Sequence, residues 1–351
     1  MRRVAMTCVG LASLLAGCFD GSGGSASSDL TTNAPTVVVS TTSPRVPEDW
    51  EILYAQIHDR YVAAQNGDAL PVDHQFGPTV DRAKAAESIV AYENATKPWV
   101  VLLGDRPVTP IAWAIMSEND YDWWRELVAE QEGPDVALNW DPDTNMFGHC
   151  RLNSIAFCGY TNQYRPETPE HRILQYSVIG SRYTGEPNAN TVNHEATHWY
   201  QFSVIGRFPD DTPCWYVEGQ ATLYGGALQY DVVNQRGTAI GQRNSFKSIV
   251  RKYQPDADEL DAERWVDVLE VMFQPDVSCG PTQDYFKYAV GLFNWEFLQA
   301  TYGTEVMHQV LLDFADGATY ADAVRERLGT TPEELNLVLA QHLVHVFAEG
   351  H

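Results

Sequence analysis

Positive charge is scarce in this chain: 23 Lys and Arg stand against 47 Asp and Glu over 351 residues, for a formal charge of -24. Such a surface repels phosphate backbones and anionic lipid, so neither nucleic acid nor a charged membrane surface is an expected partner. Long apolar runs are also lacking. Val4 to Leu15, the mostly apolar stretch near the start, falls short of the roughly 20 residues that a membrane-spanning helix needs. There is no CxxC pair, which counts against a zinc site built from four thiolates, and no internal repeat, which sets repeat architectures aside. What is present is ordinary globular material, 44% hydrophobic and 20% charged, long enough for one large core or two packed lobes.

The short apolar stretch follows Arg2 and Arg3 and ends in Leu15-Ala16-Gly17-Cys18. A positive start, a short apolar core and small residues before a cleavage point make an export signal. The ending resembles the lipobox of bacterial lipoproteins, which implies cleavage before Cys18 and lipidation of its thiol; ordinary cleavage nearby with an unmodified Cys18 is the alternative. Residues 1–17 then form the signal, and residues 18–47, rich in Gly, Ser, Thr and Pro, form a lipidated cysteine and flexible stalk. The expected location is outside the cytoplasm, anchored to a bacterial membrane. Cys150, Cys158, Cys214 and Cys279 remain, an even number in an oxidising compartment, and are expected to form disulfides. Cys150 and Cys158 are close enough to close a hairpin, leaving Cys214 with Cys279. Four cysteines allow three connectivities, however, and a four-thiolate zinc site is the rival reading.

Residues 48–189 mix helical and strand signals. Glu48 to Gln65 and Tyr121 to Glu130 have helical spacing, Val100 to Leu103 is strand-like, and Arg172 to Ile179 is a β-branched and aromatic strand candidate. Residues 190–351 read almost entirely as helix, interrupted at Gly303, Gly317 and Gly329. Thr331-Pro332-Glu333-Glu334 opens the last segment with a cap, a first-turn proline and acidic residues suited to a helix N-terminus. The fold class is therefore α+β, an α/β N-terminal lobe followed by a mainly helical C-terminal lobe.

The chemistry concentrates in His194-Glu195-Ala196-Thr197-His198. Residues four apart share one face of a helix, so two imidazoles can converge on one ion while Glu195 reaches water beside it. Gly206 can end that helix, and Thr212-Pro213 supplies a cap and first-turn pair for a returning one. The return brings Trp215-Tyr216-Val217-Glu218-Gly219-Gln220-Ala221 back against the first helix, with Glu218 as a third ligand and Gly219 permitting close packing.

Together these segments resemble the gluzincin metallopeptidases, including the thermolysin-like enzymes and, more closely, the aminopeptidase N-like branch. His194, Glu195 and His198 match the HExxH element, and Trp215, Glu218, Gly219 and Ala221 match W-x-x-E-G-x-A, one residue further on than the usual aminopeptidase interval. Tyr288 with Gly291 matches a Y-x-x-G element whose tyrosine donates to the oxyanion; a core aromatic is the alternative. The resemblance spans about Arg172 to Ala348. It implies a substrate-binding sheet packed on the helical lobe, an active site in the cleft between them, and one Zn2+ per chain held by His194, His198 and Glu218. It also implies Glu195 as general base and Tyr288 as oxyanion donor in peptide-bond hydrolysis, with a strand such as Arg172 to Ile179 binding an extended peptide by its edge. Ile115-Met116-Ser117-Glu118-Asn119 differs by an inserted residue from the G-x-M-E-N strand that holds a free amine, and it lies upstream of the zinc motif. An endopeptidase is therefore expected over an aminopeptidase. The competing readings are a catalytically inactive zinc-binding scaffold lipoprotein and a hydrolase of a non-peptide bond.

Weaker signals have plainer readings. Asp141-Pro142-Asp143-Thr144-Asn145 begins like a calcium loop, but Met146 and Leu152 stand where glycine and glutamate are required, so an Asx-rich turn is expected. His342 and His345 lie one turn apart without a third ligand in pattern, and read as surface or core histidines.

Overall fold

The computed structural model describes residues 50–64, 67–68, 72–104, 106, 109–131, 157–162, 173–183, 189–206, 208–228, 236–272 and 284–348, with side chains for all of these except 62, 131, 157–162, 236–240 and 284–285. The expected export signal, the expected lipidation site Cys18, the expected stalk and the expected Asx-rich turn lie outside the described residues. Among the described residues no helix is long and apolar enough to cross a membrane.

The described residues are mostly helical around one small sheet, an α+β arrangement. Strands β1 (Val72–Phe76), β2 (Ile111–Ser117), β3 (Phe157–Asn162) and β4 (Ile173–Ile179) lie in the order β1-β2-β4-β3. The first, second and fourth run parallel, while β3 is antiparallel to β4 and ends the sheet. Every residue of β2 and β4 is buried, as parallel strands covered on both faces require. The two-residue period of a strand sorts their side chains. Ile111, Trp113, Ile115, Ile173 and Ile179 enter the main core, whereas Ala112, Ala114, Met116, Leu174, Tyr176 and Val178 meet Trp124, Leu127 and Val128 of helix α3 (Tyr121–Gln131). Polar residues on the main-core face have partners: Tyr92 Oη donates to Gln175 Oε1 at 3.3 Å and Trp113 Nε1 to Ser177 Oγ at 2.9 Å.

Helix α1 (Trp50–Val62) falls within the expected segment. Helix α2 (Arg82–Leu103) corrects the strand expected at Val100 to Leu103, because the helix continues through Pro98 and absorbs that run. Tyr92, Ala95, Trp99 and Leu103 are buried at helical spacing, and a four-residue apolar run looks the same in either element until its neighbours are known. Through this helix the sheet is joined to the segment bearing the two metal-spaced histidines. Tyr92 packs on Trp113 with ring centroids 4.7 Å apart, and Trp99 stacks at 4.4 Å on Tyr200 of helix α4 (Ala189–Ile205).

Helices α5 (Cys214–Ala227), α6 (Arg236–Tyr253), α7 (Ala262–Val271), α8 (Asp284–Ala315), α9 (Tyr320–Leu328) and α10 (Pro332–Ala348) complete the described fold. Gly303 interrupts α8 with φ 82°, and Gly317 and Gly329 take positive φ at the expected breaks. Thr331 and Glu334 form a reciprocal capping box, each side chain accepting from the other's backbone N–H, at 3.2 and 3.0 Å. The entry to α5 differs from expectation. Pro213 itself is the extended cap residue, and the buried Thr212 hydroxyl has no hydrogen-bond partner among the described residues. The Asp211 carboxylate of the same turn is directed elsewhere, accepting from the backbone N–H groups of Tyr320 and Ala321 at the start of α9.

Candidate metal centre

Helix α4 ends at Gly206, whose φ of 66° a side chain would disfavour, and α5 returns against it. Helix α8 also packs on α5, and its approach is set by two glycines. A Cβ added to Gly219 would lie 2.4 Å from the Gly291 carbonyl oxygen, and one added to Gly291 would lie 2.5 Å from that of Trp215. Backbones meet here with no room for a methyl group. Trp295 Nε1 donates to the Tyr216 carbonyl at 2.6 Å across the same seam. This packing brings Glu218 on α5 and Tyr288 on α8 to the histidine face of α4.

His194, His198 and Glu218 converge, all buried. The Nε2 atoms of the two histidines are 3.0 Å apart, and Glu218 Oε2 lies 3.1 Å from His198 Nε2 and 3.5 Å from His194 Nε2. An ion with four ligands at about 2.0–2.1 Å in tetrahedral array holds them about 3.3 Å apart, so this triangle is the right size for one face of such a shell. A second observation points the same way: Glu218 Oε1 is buried and has no hydrogen-bond partner among the described residues. A buried carboxylate oxygen left so is costly unless a cation answers it. The group can hold a metal ion.

The electrostatics fit that use. Burial pushes His194 down to about 4, despite its hydrogen bond to Glu218, so its ring is a neutral lone-pair donor at neutral pH. Burial acts the same way on His198, but the Glu218 charge and hydrogen bond outweigh it and raise the group. Burial would raise Glu218, yet the two histidines beside it, His198 foremost, hold it well below the ordinary carboxylate range. The buried Lys287 ammonium adds to this; it sits 5.3 Å from the centroid of the Tyr288 ring.

Of the other expected site residues, Glu195 is buried beside the triangle without belonging to it, and its charge acts on His198. Tyr288 is fully buried, with its ring centroid 5.5 Å from that of His194. Cys214 is disulfide-bonded at the start of α5. Cys150 and Cys279 lie outside the described residues, as does the side chain of Cys158 in β3, so the connectivity falls outside them too. The sequence reading did not single out Gln201 or Gln220. Gln201 Oε1 is 2.8 Å from His198 Nδ1, while its amide donates to the Val217 carbonyl at 3.0 Å and to Gln220 Oε1 at 2.8 Å. Its spacing, one helical turn beyond His198, is the signal that could have found it.

His342 is a core histidine, packed 5.3 Å from the Phe297 ring and 3% exposed. Burial, reinforced by the charges of Arg243 and His345, pushes it down to about 3. Because its folded value lies below the unfolded value near 6.5, only the unfolded chain binds this proton between those limits, and stability is lost as pH falls through that window. At pH 5 the loss is about 2 kcal/mol. Urea unfolding of a His342→Met chain is therefore expected to show an acid dependence between pH 7.5 and 5 that is shallower than wild type by that amount; parallel dependences would refute it.

Compared with protein families, curated proteins and solved structures, the chain matches none.

Proposed function

We propose that this chain is a zinc metallopeptidase of the gluzincin type, exported and held at a bacterial membrane by a lipid on Cys18. The observation that carries the reading is the convergence of His194, His198 and Glu218, with Glu218 Oε1 buried and without a hydrogen-bond partner among the described residues. Two imidazoles and one carboxylate, all buried, form a ligand set suited to zinc. The location rests on the N-terminal sequence, from the arginine pair to Leu15-Ala16-Gly17-Cys18.

Zinc bound here would supply a Lewis acid and make water acidic enough to ionise near neutral pH. The remaining work belongs to the chain. Glu195 takes the proton from the attacking water and passes it to the leaving amide nitrogen. The Tyr288 hydroxyl donates to the oxygen that gains negative charge as the carbonyl becomes tetrahedral. Lys287, buried beside that ring, adds positive charge to the same region.

A thermolysin-like arrangement, with the site between sheet and helices, is supported by the position of the sheet's last strand. β4 has β2 on one side and β3 on the other, so it has no edge to offer a peptide. β3 ends the sheet and packs on α4, and its outer edge carries no strand among the described residues. The docking role expected of Arg172 to Ile179 therefore passes to β3, where an extended peptide can add by main-chain hydrogen bonds. The Glu118 carboxylate is engaged with the Ser181 backbone N–H at 2.7 Å, beyond the end of the interior strand β2. That engagement favours an endopeptidase over an enzyme using this segment to hold a free amine.

The test is elemental analysis of the purified full chain together with cleavage of a mixed peptide library. About one zinc per chain is expected, with cleavage that stops on chelation and returns with zinc. Zinc without peptide cleavage would turn the reading to a scaffold or a non-peptide hydrolase, and absence of zinc would overturn it.

A further inference from the structure

We infer that Gln201 is a positioning residue that fixes His198 in the one tautomer able to bind metal. The inference rests on the metal reading above and extends it to a side chain outside the ligand set. His198 has two possible partners. If Nε2 carries the proton, it donates to Glu218 Oε2 at 3.1 Å and no lone pair faces the centre. If Nδ1 carries it, Nε2 is a bare donor aimed at His194 and Glu218. The ring on its own has reason to choose the first, because a carboxylate is the stronger acceptor.

Gln201 reverses that choice through its own orientation. Its side chain is fully buried, and its amide nitrogen lies 3.0 Å from the Val217 carbonyl, which can only accept. Turning the amide over would set two acceptors against each other there, so the NH2 group is committed to Val217 and, at 2.8 Å, to Gln220 Oε1. The Gln201 carbonyl oxygen is thereby left facing His198 Nδ1 at 2.8 Å, and that nitrogen must bear the proton. The same side chain spans α4 and α5. Its contacts on α5 fall at Val217 and Gln220, on either side of Glu218, so the histidine ring and the carboxylate are held in register by one amide. Groups that orient metal-ligating histidines in this way typically contribute 10–100-fold in metal affinity.

Zinc affinity is the direct readout, measured on the full chain by competition with a chromophoric chelator, alongside thermal melts of the chelated proteins. Gln201→Leu keeps the bulk and removes both functions; Gln201→Glu keeps an acceptor for His198 and, when protonated, a donor for Val217. Gln201→Leu is expected to bind zinc 10–100-fold more weakly at unchanged stoichiometry, and Gln201→Glu to recover affinity to within a few-fold of wild type. Wild-type affinity in Gln201→Leu would overturn the inference while leaving the metal reading intact. Equal losses in both variants, tracking equal losses of melting temperature without metal, would reduce Gln201 to a packing residue and overturn it as well. A wild-type chain that binds no zinc overturns the metal reading and this inference together.

Discussion

Glu195→Gln is expected to hold zinc as the wild type does and to hydrolyse peptides about 10²–10⁴-fold more slowly. The two halves of this result have separate causes. Zinc is retained because the ligand atoms come from His194, His198 and Glu218, and Glu195 stands outside that triangle. Turnover falls because an amide cannot take the proton from attacking water, and loss of a positioned general base adds about 3–5 kcal/mol to the barrier. Glutamine has nearly the shape of glutamate, so the buried packing at this position, 2% exposed, is disturbed little. Removing the charge also withdraws one influence that raises His198, so zinc affinity must be measured beside the rate. The check is single-turnover hydrolysis at matched zinc occupancy; a rate within tenfold of wild type would remove Glu195 from the role of base.

Glu218→Ala is expected to do the opposite and abolish the site at its source. The two histidines lie one turn apart on α4 and would still face each other, but the anionic ligand from α5 would be gone. The lost carboxylate would be both a ligand and the negative charge of the triangle, so a bound metal would lose a bond and its charge compensation together. Affinity should fall by more than the 10–100-fold typical of an outer partner, which corresponds to upwards of about 2.7 kcal/mol. Zinc per chain should drop from about one towards zero after dialysis against a weak chelator, and peptide cleavage with it. Zinc content indifferent to this substitution would break the three-ligand reading, whatever the chain then proves to hydrolyse.

These two substitutions probe different helices, and the distinction reflects how the site is built. The α4 histidines are placed by helical periodicity alone, and so is Glu195. Glu218 reaches them only because α4 turns back at Gly206, and because α8 can press on α5 where Gly219 and Gly291 meet backbone to backbone. The Glu218 position is thus a property of three helices. A change that fills the Gly219–Gly291 contact is expected to act on the candidate metal centre at a distance, by shifting the helix that bears Glu218.

Local pattern was enough for much of this protein. A three-to-four-residue period gives the helices after Ala189, positive-φ glycines mark their ends, and HExxH sets two imidazoles on one face because a helix repeats every 3.6 residues. The buried run of β4 was legible for the same reason, its β-branched and aromatic residues suiting a pleated strand. Relations between segments were not. The sequence alone made Val100 to Leu103 a strand, because nothing local reveals that Trp99 stacks on Tyr200 and extends a helix through Pro98. Nor could it show that β4 is enclosed on both sides and β3 is the edge, since strand order depends on pairings between distant residues. Gln201 shows the difference most plainly: in the sequence it is one more polar residue on a helix, and only the return of α5 brings Val217 and Gln220 to its amide and leaves its carbonyl for His198. Local spacing put His194, Glu195 and His198 on one helix, whereas the approach of Glu218 and the orientation of the histidines were decided by hydrogen bonds and close contacts between helices that exist only once the chain has folded.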